Sequence, residues 1–167
     1  LDLAVVSHGD NDHAGGLGAV AAAFPMPLVL APRGSPVSGN RDCRAGLAWE
    51  WDGVRFRVLH PGRDFPYLGN EAACVLRIES AHGSALLAGD IGHYVERKLL
   101  AEAGAELRSD VVLVPHHGSD GSSDPGFVAA TGAKLALVSS GADNRFRHPR
   151  PPVVRRWCGA GAEVLDS

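Results

Sequence analysis

Cysteine is scarce. The 167 residues contain three, Cys43, Cys74 and Cys158, far apart and without CxxC spacing. An odd count so spaced argues against a disulfide framework and a thiolate zinc knuckle. The expectation is two core thiols and one loop thiol. Long hydrophobic runs are missing as well. No stretch reaches the ~18 apolar residues that span a bilayer, and no leader pattern precedes the first strand. Positive charge is not in excess: 16 Lys and Arg against 19 Asp and Glu give a net charge of −3. No global basic field announces a nucleic-acid partner, although a bound cation would bring its own charge. The chain opens on Leu1 rather than Met, directly into a strand, and Glu163–Ser167 reads as a strand barely finished. The expectation is a fragment of a larger chain. The missing membrane segment then says nothing of the parent. What remains is ordinary: 45% hydrophobic and 21% charged residues fit one globular domain, 1–167, with enough chain for a sizeable core.

The densest chemistry lies in Ser7-His8-Gly9-Asp10-Asn11-Asp12-His13. Two imidazoles and two carboxylates fall within six residues. They follow an apolar run, Leu3-Ala4-Val5-Val6, and precede a small-residue helix expected over 15–24. A helix cap needs one Asp and explains neither the second Asp nor the two His. Carboxylate oxygen with imidazole nitrogen suits zinc, manganese or iron.

Further on, the apolar run Leu28–Ala31 reads as a strand, and 32–46, rich in Pro, Gly and Ser, as a long loop. Asp52-Gly53 between 47–51 and 54–59 signals a type I′ hairpin. Val54, Phe56 and Val58 should face the core, with Arg55 and Arg57 in solvent. His60 reads as structural or solvent-facing. A second hairpin spans 73–88, with His82 exposed in its turn, and runs into Gly89-Asp90. A helix is expected from His93 to Ala103. A strand over 110–114 ends in Pro115-His116-His117-Gly118-Ser119. Pro125 opens a helix capped by Ser123 or Asp124. A strand follows over 135–139, a helix over 151–158 and a last strand at Val164. Three apolar strands therefore deliver acids and imidazoles at their ends. Ligands gathered along one edge of a layered α/β domain make a cleft.

The HxDxDH pattern of His8 to His13 resembles the HxHxDH signature of the metallo-β-lactamase superfamily, with Asp10 in place of the second His. With His116-His117-Gly118-Ser119, it is similar to the C-terminal hydrolase domain of the ComEC family, bacterial proteins that carry DNA inward during competence. The resemblance runs from Leu1 to about Leu165. It implies an αββα sandwich, incomplete at the N-terminus because the strands that usually precede the signature are missing.

The chemistry assigns His8 and Asp10 to one divalent metal, Asp12 and His13 to a second, with Asp90 bridging and His116 completing the second. The superfamily pattern supports all six positions. Members usually carry a third His for the first metal, where this chain has 69–74 without one, so Asn70 is the best stand-in. That harder site shifts preference toward manganese or magnesium and leaves one metal or two open. Asp12 and His117 are the catalytic candidates, His117 as a hydrogen-bond donor behind the ligands or as general acid. Ser119 and Ser122 either bond a phosphate or shape their loop. Arg145, Arg147 and Arg150, with Phe146 and His148, form either a solvated face or a clamp for a phosphate backbone.

The expected activity is a zinc- or manganese-dependent phosphodiesterase acting on DNA. By resemblance it would degrade the non-imported, single-stranded product of uptake, within a parent protein of the bacterial inner membrane. The fragment itself is expected to be soluble. The rivals are another hydrolase of the same fold, such as a phosphorylcholine esterase or small-ester hydrolase, and a non-catalytic module that binds nucleic acid or a protein partner.

Overall fold

The structure is a computed structural model that describes residues 1–39 and 41–167. Strands β1 (Ala4–Val5), β2 (Val29–Pro32) and β3 (Arg41–Cys43) form a parallel sheet in that order. A larger sheet holds β4 (Ala48–Trp51), β5 (Val54–His60), β6 (Val75–Ser80), β7 (Gly83–Leu87), β8 (Val111–Leu113), β9 (Leu135–Val138) and β10 (Glu163–Asp166). Its spatial order is β10-β9-β8-β7-β6-β5-β4. Pairing is antiparallel from β4 to β7, with tight hairpins joining β4 to β5 and β6 to β7, and parallel from β7 to β10. The Asp52-Gly53 turn carries positive φ at both residues, 49° and 79°, the backbone a type I′ turn requires.

The described residues also form five α-helices: α1 (Asn11–Ala14), α2 (Leu17–Ala23), α3 (His93–Ala103), α4 (Pro125–Thr131) and α5 (Pro151–Gly159). Asp124 caps α4 by accepting from Gly126 N–H at 2.9 Å, satisfying one of its free donors. The main core lies between helices and large sheet. Leu86, Val112 and Ala136 are in register across β7, β8 and β9, and they pack with Val95 and Leu99 of α3, Phe127 of α4 and Trp157 of α5. A second cluster, Leu30, Cys43, Val58, Cys74 and Leu76, joins the two sheets. Sheet therefore lies on sheet, with α3, α4 and α5 outside the larger one.

Two expectations need correction. The stretch 32–46 is not loop throughout, because β3 pairs with β2 inside it. Arg41-Asp42-Cys43 has one buried residue in three, so no apolar pattern announces it; the partner strand supplies its hydrogen bonds. The thiols also differ. Cys43 and Cys74 are buried as expected, but they are joined in a disulfide with Cα atoms 6.2 Å apart. Cys158 is exposed on α5, not in a loop. Among the described residues no helix is long and apolar enough to cross a membrane.

Candidate metal centre

Three strand ends meet at one edge of the layered core. The chain leaving β1 reaches Ser7 and His8, held where Cys74 N–H donates to the Ser7 carbonyl at 2.8 Å. The chain leaving β7 turns at Gly89 to present Asp90. Gly89 has φ 58°, and a Cβ there would lie 3.0 Å from Ala73 Cβ and 3.2 Å from Ser7 Cβ; the turn therefore needs glycine. The chain leaving β8 enters a tight turn where His116 and His117 both take left-handed backbone, φ 50° and 53°. Two such non-glycine residues cost about 1–3 kcal/mol each. Surrounding hydrogen bonds hold them: His116 N–H to the Gly89 carbonyl at 3.0 Å, Ser122 Oγ–H to the Pro115 carbonyl at 2.8 Å, and Arg150 N–H to the Gly118 carbonyl at 2.9 Å.

These ends bring donor atoms together. His13 Nε2 lies 3.1 Å from Asp90 Oδ1, and His117 Nε2 lies 3.4 Å from Asp90 Oδ2 and 3.3 Å from Asp12 Oδ2. The two ring nitrogens are 3.2 Å apart. His8 Nε2 is 3.7 Å from Asp10 Oδ2 and 4.0 Å from Asp90 Oδ2. Among the described residues two groups have ligand atoms close enough to share an ion: His8, His13 and Asp90, and Asp12, His13 and His117. His8 tests whether a cation fits. Its ring is fully buried, yet Nε2 has no hydrogen-bond partner among the described residues. A buried polar atom without a partner is costly, and a lone pair offered to a cation resolves the cost. Imidazole nitrogen with carboxylate oxygen is the donor set of a borderline divalent ion.

The electrostatics agree. Burial pushes the Asp90 carboxyl up, but hydrogen bonds from His117 and His13, with their charge, outweigh it and hold the group well below the usual carboxylate range. The Asp90 carboxylate in turn pushes the His117 imidazolium up to about 9, against its burial. Burial lowers the His8 pKa, with neighbouring His13 adding to the effect. A carboxylate that gathers positive charge into a buried corner is a site made for a cation.

The remaining sequence candidates fall around this core. The turn places His117, rather than His116, beside Asp12 and His13. His116 Nε2 lies 3.9 Å from Asp90 Oδ2 and 3.3 Å from Asn70 Nδ2. Asn70 is thus on the His116 side of the cluster. Ser122 is buried and donates to two carbonyls of its own loop, Pro115 and Ser119. Ser119 Oγ accepts from Gly121 N–H within the same loop. Arg145, Phe146 and His148 line a cleft of about 600 Å³ together with Asp12, Asp90 and His116. Arg147 is exposed and is not among the residues lining it. Arg150 pairs with Asp120 at 3.2 Å. His60 is buried, with Nε2 2.8 Å from the Glu71 carbonyl oxygen.

Several contributors carried no signal in the sequence. Ser7 Oγ lies 3.1 Å from His8 Nδ1 and 3.0 Å from His13 Nδ1. One hydroxyl thereby turns both rings so that Nε2 faces the cluster. The Ser139 carbonyl accepts from His117 Nδ1 at 2.6 Å and fixes that ring in the same sense. Beneath the His-His turn, buried Glu96 accepts from Ser123 and Asp124 N–H, both at 2.6 Å.

Competence protein ComA of Neisseria gonorrhoeae is 36% identical over 165 residues, 99% of this chain but 24% of that protein. Recombination protein 2 of Haemophilus influenzae is 31% identical over 158 residues, 93% of this chain and 20% of that protein. ComE operon protein 3 of Bacillus subtilis is 28% identical over 171 aligned positions, 93% of this chain and 22% of that protein. The chain thus spans about a quarter or less of the curated relatives it matches. The crystal structure of CmlA, a diiron beta-hydroxylase from Streptomyces venezuelae, superposes with a TM-score of 0.64 at 15% identity, over 99% of this chain and 43% of that one; this is likeness of fold. The sequence profile of one family matches residues 1–141, the stretch that carries every donor of the cluster, and by that match the chain belongs to the metallo-beta-lactamase superfamily.

Proposed function

We propose that this chain is a metal-dependent phosphodiesterase that cuts single-stranded DNA, as part of a membrane-embedded protein of DNA uptake. One observation carries the reading: His8 and His13 gather with Asp90, Asp12 and His117 into one donor cluster, and the last three of these line a cleft together with Arg145 and His148. A divalent cation, zinc or manganese, would be held by His8, His13 and Asp90 or by Asp12, His13 and His117, the groups whose ligand atoms lie close enough to share one, with Asp10 3.7 Å from His8. Bound there, the ions would polarise phosphoryl oxygens and lower the pKa of water.

The rest falls to the chain itself. Ser7 and Ser139 keep the imidazoles in one orientation. Asp12 stands at the cleft mouth with 64% of its side chain exposed, where a carboxylate oxygen can hold the proton of an attacking water. His117 has both nitrogens committed, Nδ1 to Ser139 and Nε2 within the cluster, which favours a ligand role over that of general acid. The Arg145 guanidinium offers a fork that matches phosphate oxygens. The names of the competence relatives favour DNA among phosphodiesters.

The test is cleavage of a single-stranded oligonucleotide with manganese, lost in Asp12→Ala. No cutting with any divalent metal refutes the proposal. Charge reversal at Arg145, Arg147 and Arg150 separates the rival small-ester hydrolase: it should cripple a nuclease and spare hydrolysis of a small ester.

A further inference from the structure

We propose that Phe146 is a nucleobase platform that makes this cleft select unpaired nucleic acid. The inference rests on the phosphodiesterase reading and adds the feature of the substrate that is recognised beside the phosphate. Phe146 lies in the connection between β9 and α5 and is 56% exposed. A single exposed aromatic is unremarkable by itself; its setting is the argument.

The loop that presents it is built, not loose. Asn144 Nδ2 donates to the carbonyls of Gly141 at 3.0 Å and His148 at 2.7 Å, and its Oδ1 accepts from His148 N–H at 2.9 Å. Arg147 N–H donates to the Asn144 carbonyl at 3.0 Å. Side-chain bonds at both ends thus clamp the residues that flank the ring. The Phe146 ring stacks on His148, centroids 5.7 Å apart and planes 13° from parallel. His148 in turn lies 6.2 Å from the His116 ring. A row of rings therefore leads from the rim to the donor cluster. Arg145 places its guanidinium carbon 4.7 Å from the Phe146 centroid.

The neighbouring space fits a base. A recess of about 270 Å³ is lined by Phe146, His148, Asn144 and Gly141 on one side and by Asp12 and His117 on the other. A base seated there leaves its own phosphate at the cluster. Arg145 is exposed, so a base can take its place over the ring while the guanidinium moves to the phosphate. An exposed cation–π contact contributes less than base–aromatic stacking, so the exchange is favourable. Paired bases have both faces covered by their neighbours in the stack and cannot make it; splayed bases can.

The experiment measures fluorescence anisotropy of labelled phosphorothioate decamers in manganese: oligothymidine, an abasic strand with the same backbone, and a duplex. The chain should bind oligothymidine more tightly than the other two. Phe146→Ala should weaken oligothymidine binding about 5- to 100-fold, toward the abasic strand, in line with the loss of one stacked base. Phe146→Trp should restore it. Equal affinity of the unaltered chain for oligothymidine and abasic strands overturns the platform, as does a Phe146→Ala loss of the same size for both. Hydrolysis of methyl 4-nitrophenyl phosphate is followed in parallel. If that ester is cleaved but bases are not preferred, the platform falls and the phosphodiesterase stands. If base-dependent binding appears without hydrolysis of any phosphodiester, the phosphodiesterase falls and the platform stands.

Discussion

Metal binding at this cluster should release a proton from His117. In metal-free protein the Asp90 carboxylate holds the His117 imidazolium up to about 9. At pH 7 a cation that takes Nε2 must first displace that proton. The displacement costs about 2.7 kcal/mol, two pKa units at 1.36 kcal/mol each. Affinity should accordingly rise about tenfold per pH unit from pH 6.5 to 9 and then level off. Calorimetric titration with zinc in two buffers of different ionisation enthalpy reads the proton count directly, with about one released per chain at pH 7 from this group. The ring nitrogen shifts of His117 in chelator-treated protein give the pKa independently. Stability carries the same signature. A raised folded-state pKa contributes stability that is full below the unfolded value near 6.5 and is lost as pH rises through about 9. For a side chain 23% exposed this amounts to roughly 3 kcal/mol. Asp90→Asn should return His117 toward 6.5 and abolish both slopes. A His117 that titrates near 6.5 in the unaltered protein, or zinc binding without proton release, refutes the reasoning.

Ser7→Ala should lower metal affinity about 10- to 100-fold by freeing two imidazoles at once, read by competition with a chromogenic chelator, with little change in the urea midpoint. Gly89→Ala should destabilise the fold by about 1–3 kcal/mol, because an alanine there meets Ala73 and must hold positive φ; equilibrium urea unfolding measures it, and an unchanged midpoint would show that the turn can relax. Burial pushes Glu96 up to about 7. The folded form then holds that proton more tightly, so stability should fall as pH rises from 4.5 to 7 by a few kcal/mol. Glu96→Gln should flatten the decline, which urea midpoints at pH 5 and pH 8 compare.

What the sequence discloses here is what local chemistry decides. Asp52-Gly53 reads as a turn because two adjacent residues set its backbone, and α3 reads as a helix because eleven residues in a row carry the pattern. The donor types were legible for the same reason: His8 to His13 crowd into one loop, and Asp90 and His116-His117 each end an apolar strand. The rest depends on partners distant in the chain. β3 is three residues with no pattern of their own, made a strand by β2. The Cys43–Cys74 bond crosses 31 residues and joins the two sheets, and nothing in the spacing of three cysteines selects that pair. Which of two adjacent imidazoles stands beside Asp12 is the sharpest case. Left-handed backbone at both residues decides where each ring points, and hydrogen bonds with the Gly89 carbonyl, the Ser122 hydroxyl and the Arg150 N–H hold that backbone. Gly89 and Arg150, 27 and 32 positions from the groups they bond, thus help settle a choice between neighbours. Ser7 was invisible for the opposite reason. It adjoins the motif, but a serine before a histidine carries no pattern until the fold brings His13 to its other side. A donor set is written in residue types, whereas the orientation of each donor is written in the packing beneath it. For that reason Ser7→Ala tests this centre more sharply than loss of any single ligand: it leaves every donor in the chain and removes only the atom that aims two of them.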